Sequence, residues 1–465
     1  MSQITKSSAG IDRSKGRVIF GLIVPFTSII FQLSAFVVAL PAIRSEFALA
    51  ADTTSWLILV YTIPFILFMP FYGRLGDRFG AKVLMIIGLA LFGAGTLISL
   101  FSTSMGLVIL GRIVQASGAA SINPLCLSIL TRAFPSESRG RAIGTWNSAG
   151  PLFGMIGPVV GGILVDAFGW RSVFVPVAAL TLLAVPVLIW IVPSIPVVKE
   201  SSQRRRLDWT GMFLTAVMLT GFVLYLSSRP VTGYAPFTDW RLLVATTIVG
   251  TLWYLWERHT PEPFVAISLF RNRQFACATG SVGTRMLLLG TVSFLVPLYV
   301  ADVIKAEASD AGIVMAFHAL ALLITLRLGG AISDRFSQKL PIVVGMFGQG
   351  LILLVVAGWP GYNLARFAIQ MAMHGGLAGL SLAPLHRIAM QEVPPAETGA
   401  GAATYSMGRF FGHLVGASIM GVVLEQFLSS QPNVTNAYRF SFLVAALVGI
   451  AGTMPTLFIR DRQRT

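Results

Sequence analysis

Long apolar stretches alternate with short polar segments along almost the whole chain. Each apolar stretch holds roughly 17 to 27 residues, enough for a helix that rises about 1.5 Å per residue to cross the hydrocarbon core of a bilayer. The pattern therefore predicts an all-α polytopic membrane protein. The fourteen predicted transmembrane helices lie at Val18–Leu40, Ser55–Phe71, Val83–Phe101, Met105–Leu130, Ala142–Val165, Val173–Val192, Trp209–Leu226, Trp240–Trp256, Phe275–Val300, Ala311–Gly330, Pro341–Gly358, Leu364–Met390, Gly399–Leu424 and Tyr438–Ile459.

The composition supports this interpretation and removes several others. Hydrophobic residues make up 55% of the chain and charged residues only 11%, far too few charges to cover the surface of a soluble protein of 465 residues. The formal net charge of +15 could suggest nucleic acid, but the basic residues stand in short loops beside the spans, where membrane topology accounts for them. Cys126 and Cys277 both lie in predicted spans, which argues against a disulfide scaffold.

The basic residues also predict how the chain lies in the membrane. Loops on the side of the N-terminus hold most of the lysines and arginines, so both termini are expected in the cytoplasm. The first apolar run is too long for a cleavable signal peptide and leads into further spans. We expect an integral protein of the bacterial inner (plasma) membrane. Four apolar residues of the linker 259–274 predict a segment lying on the membrane surface, namely Phe264, Ile267, Leu269 and Phe270.

A ten-residue polar loop between the second and third spans has a second copy later in the chain. The first copy reads GRLGDRFGAK from Gly73 to Lys82, and the second reads GAISDRFSQK from Gly330 to Lys339. Matching residues stand 257 positions apart, which indicates an internal duplication. One basic loop could simply hold the topology, but two copies at matching positions are hard to explain in that way. The candidate gating residues are Gly73, Gly76, Asp77, Arg78, Gly80, Lys82, Gly330, Asp334, Arg335 and Lys339.

The first copy of this loop resembles the cytoplasmic signature loop of major facilitator superfamily transporters. Two six-helix halves separated by two inserted helices resemble, more narrowly, the fourteen-span drug:proton antiporter branch of that superfamily. The resemblance implies two pseudo-symmetric bundles that rock against each other around a central cavity. The predicted divisions are a cytoplasmic tail (1–17), an N-terminal six-helix bundle (18–193), a linker with the two inserted helices (194–274), a C-terminal six-helix bundle (275–459) and a second cytoplasmic tail (460–465).

The fifth predicted span carries a stripe of glycines with a proline among them. Glycines four residues apart form a smooth surface on which another helix can pack, and a proline can kink the helix. Generic glycine packing is one explanation. The string is also similar to the antiporter motif of exporters in the resembled superfamily, and this resemblance favours export. The motif residues are Gly154, Gly157, Pro158, Gly161 and Gly162.

Two polar residues of the N-terminal half are candidates for the substrate or proton path. Arg112 lies in the fourth span and resembles the superfamily's buried arginine near the proton path. An arginine inside a membrane is costly, so it either faces the bundle interior or snorkels to the outer interface. Gln32 stands in the first span where the resembled proteins usually have aspartate. Because glutamine cannot titrate, the usual coupling carboxylate is missing.

The predicted membrane interior holds cations but no carboxylates, since all nineteen Asp and Glu residues fall in loops or near span ends. A cationic cavity suits anionic substrates better than lipophilic cations. Each histidine could instead be a hydrogen-bonded core residue, and the arginines could donate to backbone carbonyls at helix breaks. The interior basic residues are the arginines Arg112, Arg285, Arg327, Arg387 and Arg409 and the histidines His318, His374, His386 and His413. The residues that we assign to the substrate or proton path are Gln32, Arg112, Arg285, His318, His374, Arg409 and His413.

An enzymatic function is not expected. The chain has no GxxxxGK[ST] phosphate loop, no HExxH zinc motif and no nucleophile elbow, so we predict no cofactor, metal or catalytic residue. The hypothesis is a secondary active exporter of small amphipathic molecules, of the multidrug-efflux type and proton-coupled, whose cationic cavity favours anionic or lipid-like substrates. The alternatives are an exporter or flippase of one endogenous anionic metabolite or lipid, and a transporter-fold sensor or scaffold. The expected partners are a small-molecule substrate, protons and the lipid bilayer, with no nucleic acid, and the expected state is a monomer.

Overall fold

The computed structural model of the protein describes residues 2–193, 208–227, 233–359, 363–394, 397–430 and 433–461. All fourteen predicted apolar segments are helical. The α-helices in chain order are α1 (Ser2–Glu46), α2 (Ala51–Phe79), α3 (Ala81–Leu100), α4 (Met105–Ala119), α5 (Ile122–Ala133), α6 (Ser136–Phe168), α7 (Phe174–Ile191), α8 (Trp209–Ser227), α9 (Trp240–His259), α10 (Arg273–Tyr299), α11 (Ala308–Arg335), α12 (Lys339–Gly358), α13 (Leu364–Gln391), α14 (Thr398–Ser430), α15 (Val434–Ala451) and α16 (Met454–Leu457).

Twelve helical stretches in the described ranges are long and apolar enough to cross a membrane. One of them, Met105–Ala133, is formed by α4 and α5 together. The two predicted spans outside this set are α9 and α13. Glu257 and Arg258 in α9, and His374 and Arg387 in α13, make these two helices less apolar than the others. The protein is therefore an integral membrane protein with twelve candidate spans, and the number fourteen stays a prediction.

The helices alternate in direction, which defines two ends of the molecule. The loops 73–82 and 330–339 lie at one end, called the loop end here. At the opposite end, called the gate end, α6 and α14 finish and α2 and α11 begin. Below, the N-terminal half is 18–193 and the C-terminal half is 275–459.

Close contacts between the two halves are found at the gate end. A Cβ at Gly162 of α6 would lie 2.5 Å from the carbonyl oxygen of Ala308 at the start of α11. A Cβ at Gly421 of α14 would lie 2.6 Å from the Cβ of Ser55 in α2. Without side chains at these positions the helix backbones come together directly. The halves are thus closed against each other at this end.

The inserted helices α8 and α9 pack on each other and on the rest of the bundle. The indole Nε1 of Trp253 in α9 donates to the hydroxyl of Thr215 in α8 over 2.9 Å. The indole Nε1 of Trp56 in α2 donates to the carbonyl oxygen of Ser227, the last residue of α8, over 3.1 Å. The insertion is therefore attached to the N-terminal half by polar as well as apolar contacts.

The linker that follows α9 does not lie on the surface as its sequence predicts. Phe264 and Leu269 are each only 6% exposed, whereas Phe270 is 42% exposed. Phe264 packs in a cluster with Leu219 of α8 and Met407 of α14, inside the protein. The prediction of an interfacial segment is wrong for Phe264 and Leu269. The linker instead folds over the place where the insertion meets the C-terminal half, and this buries both side chains.

Candidate functional site

Arg112 is buried inside the N-terminal half and does not snorkel. Only 2% of the residue is exposed. Its Nη1 donates to the amide oxygen of Gln115 over 3.0 Å, and Gln32 Nε2 donates to the same oxygen over 3.0 Å. The amide nitrogen of Gln115 in turn donates to the hydroxyl of Thr96 over 2.8 Å. Gln115 thus connects the two residues that the sequence singled out.

Aromatic rings complete the surroundings of Arg112. Its guanidinium carbon lies 3.8 Å from the ring centre of Phe36 and 4.2 Å from that of Tyr61. Such cation–π contacts stabilise a guanidinium that has left water. No salt bridge to Arg112 occurs among the described residues. Its Nε also donates to the carbonyl oxygen of Leu57 over 3.4 Å, so its charge is compensated by two oxygens and by ring faces rather than by a carboxylate.

A second cationic group lies in the C-terminal half. His318 Nε2 of α11 and His374 Nδ1 of α13 are 3.2 Å apart, so one ring nitrogen donates and the other accepts. Arg285 of α10 is 1% exposed and donates through Nε to the carbonyl oxygen of Ala378 over 2.8 Å. Arg285 lies close enough to both histidines for their charges to interact. The structure thus gathers three of the predicted path residues.

Arg409 and Tyr405, one turn apart on α14, extend this group. Both lie within electrostatic range of Arg285. Arg409 Nε, the Tyr405 hydroxyl and His374 Nε2 are buried and have no hydrogen-bond partner in the described part of the chain. Sequence reasoning missed Tyr405, although its position four residues before Arg409 places both on one helix face.

Among the remaining basic residues predicted in the interior, His386 touches the group around Arg285, with its ring centre 5.3 Å from that of Tyr405. Arg327 and His386 are exposed, and Arg387 forms an ion pair with Asp334 at the loop end. His413 is on α14, where its backbone packs against Gly290 of α10. These four residues do not join the group around Arg285 through any hydrogen bond between described residues.

A series of aromatic rings connects the two cationic groups across the halves. Tyr61, which faces Arg112, stacks on Phe65 with ring centres 6.1 Å apart. Phe65 of α2 meets Phe410 of α14 edge to face at 4.9 Å. The guanidinium of Arg409 lies 6.0 Å from the ring of Phe410. Between the two halves, cationic side chains are therefore separated by apolar aromatic surface.

The two signature loops make different contacts. Gly80 has a φ of 91°, which only glycine adopts freely, and its amide donates to the carbonyl oxygen of Gly76. Arg78 and Arg335 are exposed, and the side chain of Asp77 lies outside the described residues. The predicted latch formed by the Asp–Arg pairs of both loops therefore stays a prediction.

The lysines of the two loops have equivalent contacts. Lys82 Nζ donates to the carbonyl oxygens of Ile189 and Val192, over 2.8 and 2.7 Å, at the end of α7. Lys339 Nζ donates to the carbonyl oxygen of Leu457, over 2.7 Å, at the end of α16. Each lysine thus caps the last helix of its own half, where a positive charge is favourable.

The glycine motif of α6 lies between α1 of its own half and α11 of the other. A Cβ at Gly157 would lie 1.9 Å from the hydroxyl of Ser34, and one at Gly161 would lie 2.9 Å from the Cβ of Ala35. The carbonyl oxygen of Pro158 would lie 2.3 Å from a Cβ at Gly312 of α11. Gly154 has more space, with Ile30 at 4.0 Å. The motif therefore provides the close packing that closes the gate end.

Known proteins resemble this chain over most of its length. It is 27% identical to the multidrug resistance protein Stp of Mycobacterium tuberculosis (strain CDC 1551 / Oshkosh) over 402 residues, which cover 84% of this chain and 73% of that protein. It is 28% identical to the riboflavin transporter RibZ of Clostridioides difficile (strain 630) over 435 residues, which cover 90% and 92%.

A solved structure shows the same fold. A bacterial homolog to the human lysosomal transporter Spinster, in an inward-facing and occupied conformation, matches with a TM-score of 0.67 at 17% identity and covers 95% of this chain and 96% of that one. The sequence profile of the Major Facilitator Superfamily matches residues 24–417 and 275–465. The expected all-α major facilitator fold is confirmed. The chain belongs to the Major Facilitator Superfamily and is a secondary transporter of small molecules, not an enzyme.

Proposed function

We propose that the protein exports small amphipathic molecules and that its C-terminal half binds their anionic group. One observation carries the proposal: Arg409 Nε and the Tyr405 hydroxyl are buried donors without partners among the described residues. Buried donors without acceptors are costly, and a carboxylate or phosphate of a substrate would supply the acceptors.

Arg285 and Arg409 differ in what they offer to a substrate. Arg285 already donates to the carbonyl oxygen of Ala378, as expected of an arginine that satisfies helix backbone. Arg409 Nε has no such acceptor in the described part of the chain. We therefore assign direct anion recognition to Arg409 and electrostatic support to Arg285.

The rings of Tyr61, Phe65 and Phe410 would contact the apolar part of the same substrate. Their faces lie between the cationic groups of the two halves. An amphipathic anion presents both a charged group for the arginine and an apolar surface that can pack on these rings. This supports lipid-like or drug-like anions over small inorganic ones.

Transport is proposed to run by alternating access, with protons as the coupling ion. The glycine motif resembles that of exporters and closes the gate end. The loop end and both termini would face the cytoplasm. The protein would be a monomer in the plasma membrane of a bacterium, with fourteen transmembrane helices. Because Gln32 cannot titrate, the coupling proton is assigned to the pair His318 and His374.

A second candidate function is export or flipping of one endogenous anionic metabolite or lipid. The names of the two relatives support different breadths of substrate range. One is named for multidrug resistance and the other for transport of a single compound, riboflavin. A sensor or scaffold with a transporter fold is the third. Substrate-stimulated proton flux in proteoliposomes separates the carriers from the sensor, because only a carrier moves protons continuously.

A ligand screen by thermal shift tests the anion site. Matched anionic, neutral and cationic amphiphiles are compared on the wild type, on Arg409→Gln and on Arg327→Gln, which removes an exposed arginine of α11. We expect anions to stabilise the wild type and Arg327→Gln, and to lose roughly tenfold or more in affinity on Arg409→Gln, since charge-assisted hydrogen bonds contribute about 1.5–3 kcal/mol. Equal anion binding by all three proteins would contradict the cationic site.

A further inference from the structure

Four consecutive residues after α9 connect three parts of the molecule through their backbone. The carbonyl oxygen of Pro263 accepts from Arg74 Nη2 of α2 over 3.0 Å. The amide of Phe264 donates to Asp208 Oδ2 and the amide of Val265 to Glu257 Oε2, each over 3.2 Å. The amide of Ala266 donates to the hydroxyl of Thr404 in α14 over 3.1 Å. This segment, Pro263–Ala266, is called the junction below.

The two carboxyl groups that hold the junction are both buried. Asp208 is 9% exposed and Glu257 is 2% exposed. Asp208 Oδ1 accepts from the amide of Gly211 and from the indole Nε1 of Trp256, each over 2.8 Å, and its Oδ2 accepts from the junction. Three donors of this kind stabilise a carboxylate. Asp208 is therefore the better hydrogen-bonded carboxyl of the pair.

Glu257 has a different environment. Its Oε2 accepts one amide from the junction, and its Oε1 is buried without a partner among the described residues. A Cβ at Gly211 would lie 2.2 Å from Asp208 Oδ2 and 2.9 Å from Glu257 Oε1, so the two oxygens face the same point. Two carboxylates in such an arrangement repel each other, whereas a carboxylic acid beside a carboxylate forms a strong hydrogen bond.

The geometry points to a proton held between Glu257 Oε1 and Asp208 Oδ2. In this site the proton is bound to Glu257, taken from water, and donated in a hydrogen bond to Asp208. The junction then connects the N-terminal half, the insertion and the C-terminal half only while the proton is present. The inference does not depend on the substrate proposed above. It gives the two inserted helices a role, which is to hold the two halves together when Glu257 is protonated.

Three charged side chains line the cavities beside the site. Arg74 lines a cavity of about 10 Å³ with Asp208 and Phe264, which is room for about one water molecule. A larger cavity of about 230 Å³ is lined by Arg74, Glu262 and Glu397. Arg74 opposes the build-up of negative charge, and Glu262 and Glu397 add to it. The two cavities share Arg74, so these three charged side chains are the ones nearest the junction along the cavity walls.

The pKa of Glu257 agrees with this assignment. Burial, with smaller additions from Asp208, raises the pKa of the Glu257 carboxyl from its ordinary 4.5 to about 7. An acid whose pKa is higher in the assembled junction than in an opened, hydrated one binds a proton on assembly. Assembly is therefore favoured as the pH falls from about 7 toward 4.5, and it weakens as the pH rises through 7.

Hydrogen exchange followed by mass spectrometry tests the site on the full-length protein in nanodiscs. The exchange of the peptide that contains the junction is compared between wild type and Glu257→Gln at each pH, so that the intrinsic effect of pH cancels. Glu257→Gln keeps a donor toward Asp208 at every pH. We expect the two proteins to exchange alike at about pH 6 and the wild type to exchange several times faster at about pH 8. Asp239→Asn, which changes the carboxyl that caps the other end of α9, is the control and should follow the wild type.

Two further results decide the case. In Asp208→Asn the like charge is gone, so the pKa of Glu257 falls and faster exchange should begin at a lower pH than in the wild type, while Glu257→Gln shows no onset at all. Wild-type exchange that matches Glu257→Gln at both pH values would overturn the proposal. Protection of the wild type at about pH 8 by added Na⁺ or K⁺ would also overturn it, because the pair would then hold a metal cation and not a proton.

Discussion

Asp166 and Glu425 each cap the first turn of a helix in the opposite half. Asp166, near the end of α6, accepts from the amides of Ala308 and Ser309 over 2.9 and 2.8 Å. Glu425 of α14 accepts from the amide of Ala51 over 2.8 Å. Ala51 and Ala308 stand 257 positions apart, the interval of the duplicated loops. A carboxylate at a helix N-terminus is favourable. The duplication thus places the same kind of cap between the halves at two equivalent positions of the gate end.

The first prediction is that these caps hold the gate end closed. Asp166→Asn and Glu425→Gln should each shift the equilibrium toward an open gate end by roughly fivefold, since a helix cap contributes about 1 kcal/mol. The distance between spin labels at Phe168 of α6 and Ile313 of α11, attached through cysteines in a cysteine-free background, reports the opening. Asp310→Asn changes a carboxyl of the α11 capping box within the same half and should leave the distance distribution unchanged. Unchanged distances in both cap variants would show that glycine packing alone closes the gate.

The second prediction concerns Gln115. Gln115→Leu removes the amide oxygen that accepts from both Arg112 and Gln32, and so leaves a buried charge with a lost hydrogen bond. We expect a loss of about 2–4 kcal/mol in stability, against about 1 kcal/mol for Gln32→Ala, which leaves the arginine contact in place. Thermal unfolding in one detergent compares the two variants with Ser117→Ala on the outer face of α4. A larger loss of stability for Gln32→Ala than for Gln115→Leu would show that Gln32 of α1, and not Gln115, contributes most to this hydrogen-bond network.

Much of this architecture follows from the sequence because it depends on local pattern. Apolar runs become helices wherever they occur, and the repeated loops reveal the duplication before any contact is known. Gln115 could also have been found, since it stands three residues after Arg112 on the same helix face.

Other features depend on contacts between distant segments. Asp166 and Ala308 are 142 positions apart, and nothing near Asp166 in the sequence indicates that it caps a helix of the other half. Glu257 has the sequence context of an exposed carboxylate at a helix end. It is buried because residues 263–266 fold back over it, and only the three-dimensional fold shows this.

The third prediction concerns the first signature loop. Asp77→Asn should slow transport while membrane insertion and substrate affinity stay close to those of the wild type, because a carboxylate at helix ends stabilises one state of the cycle and not the binding site. Transport rates and ligand affinity are measured on the same proteoliposome and detergent preparations. Glu397→Gln, another carboxylate of the loop end, is the control. Wild-type rates in Asp77→Asn would remove this residue from the gating mechanism.

The last prediction is that the histidine pair carries the coupling proton. His318 and His374 share one hydrogen bond between ring nitrogens, so the pair can accept an additional proton at His374 Nε2, which has no partner among the residues that the structure describes. An anion bound beside Arg285 would change the electrostatic field at that pair and so link substrate to proton. His318→Gln and His374→Gln should therefore retain anion binding but lose most substrate-stimulated proton flux, measured with a pH-sensitive dye inside proteoliposomes. His259→Gln removes an exposed histidine at the end of α9 and should behave as the wild type. If both pair variants still move protons at the wild-type rate, coupling uses another group and the pair is a hydrogen-bonded element of the core.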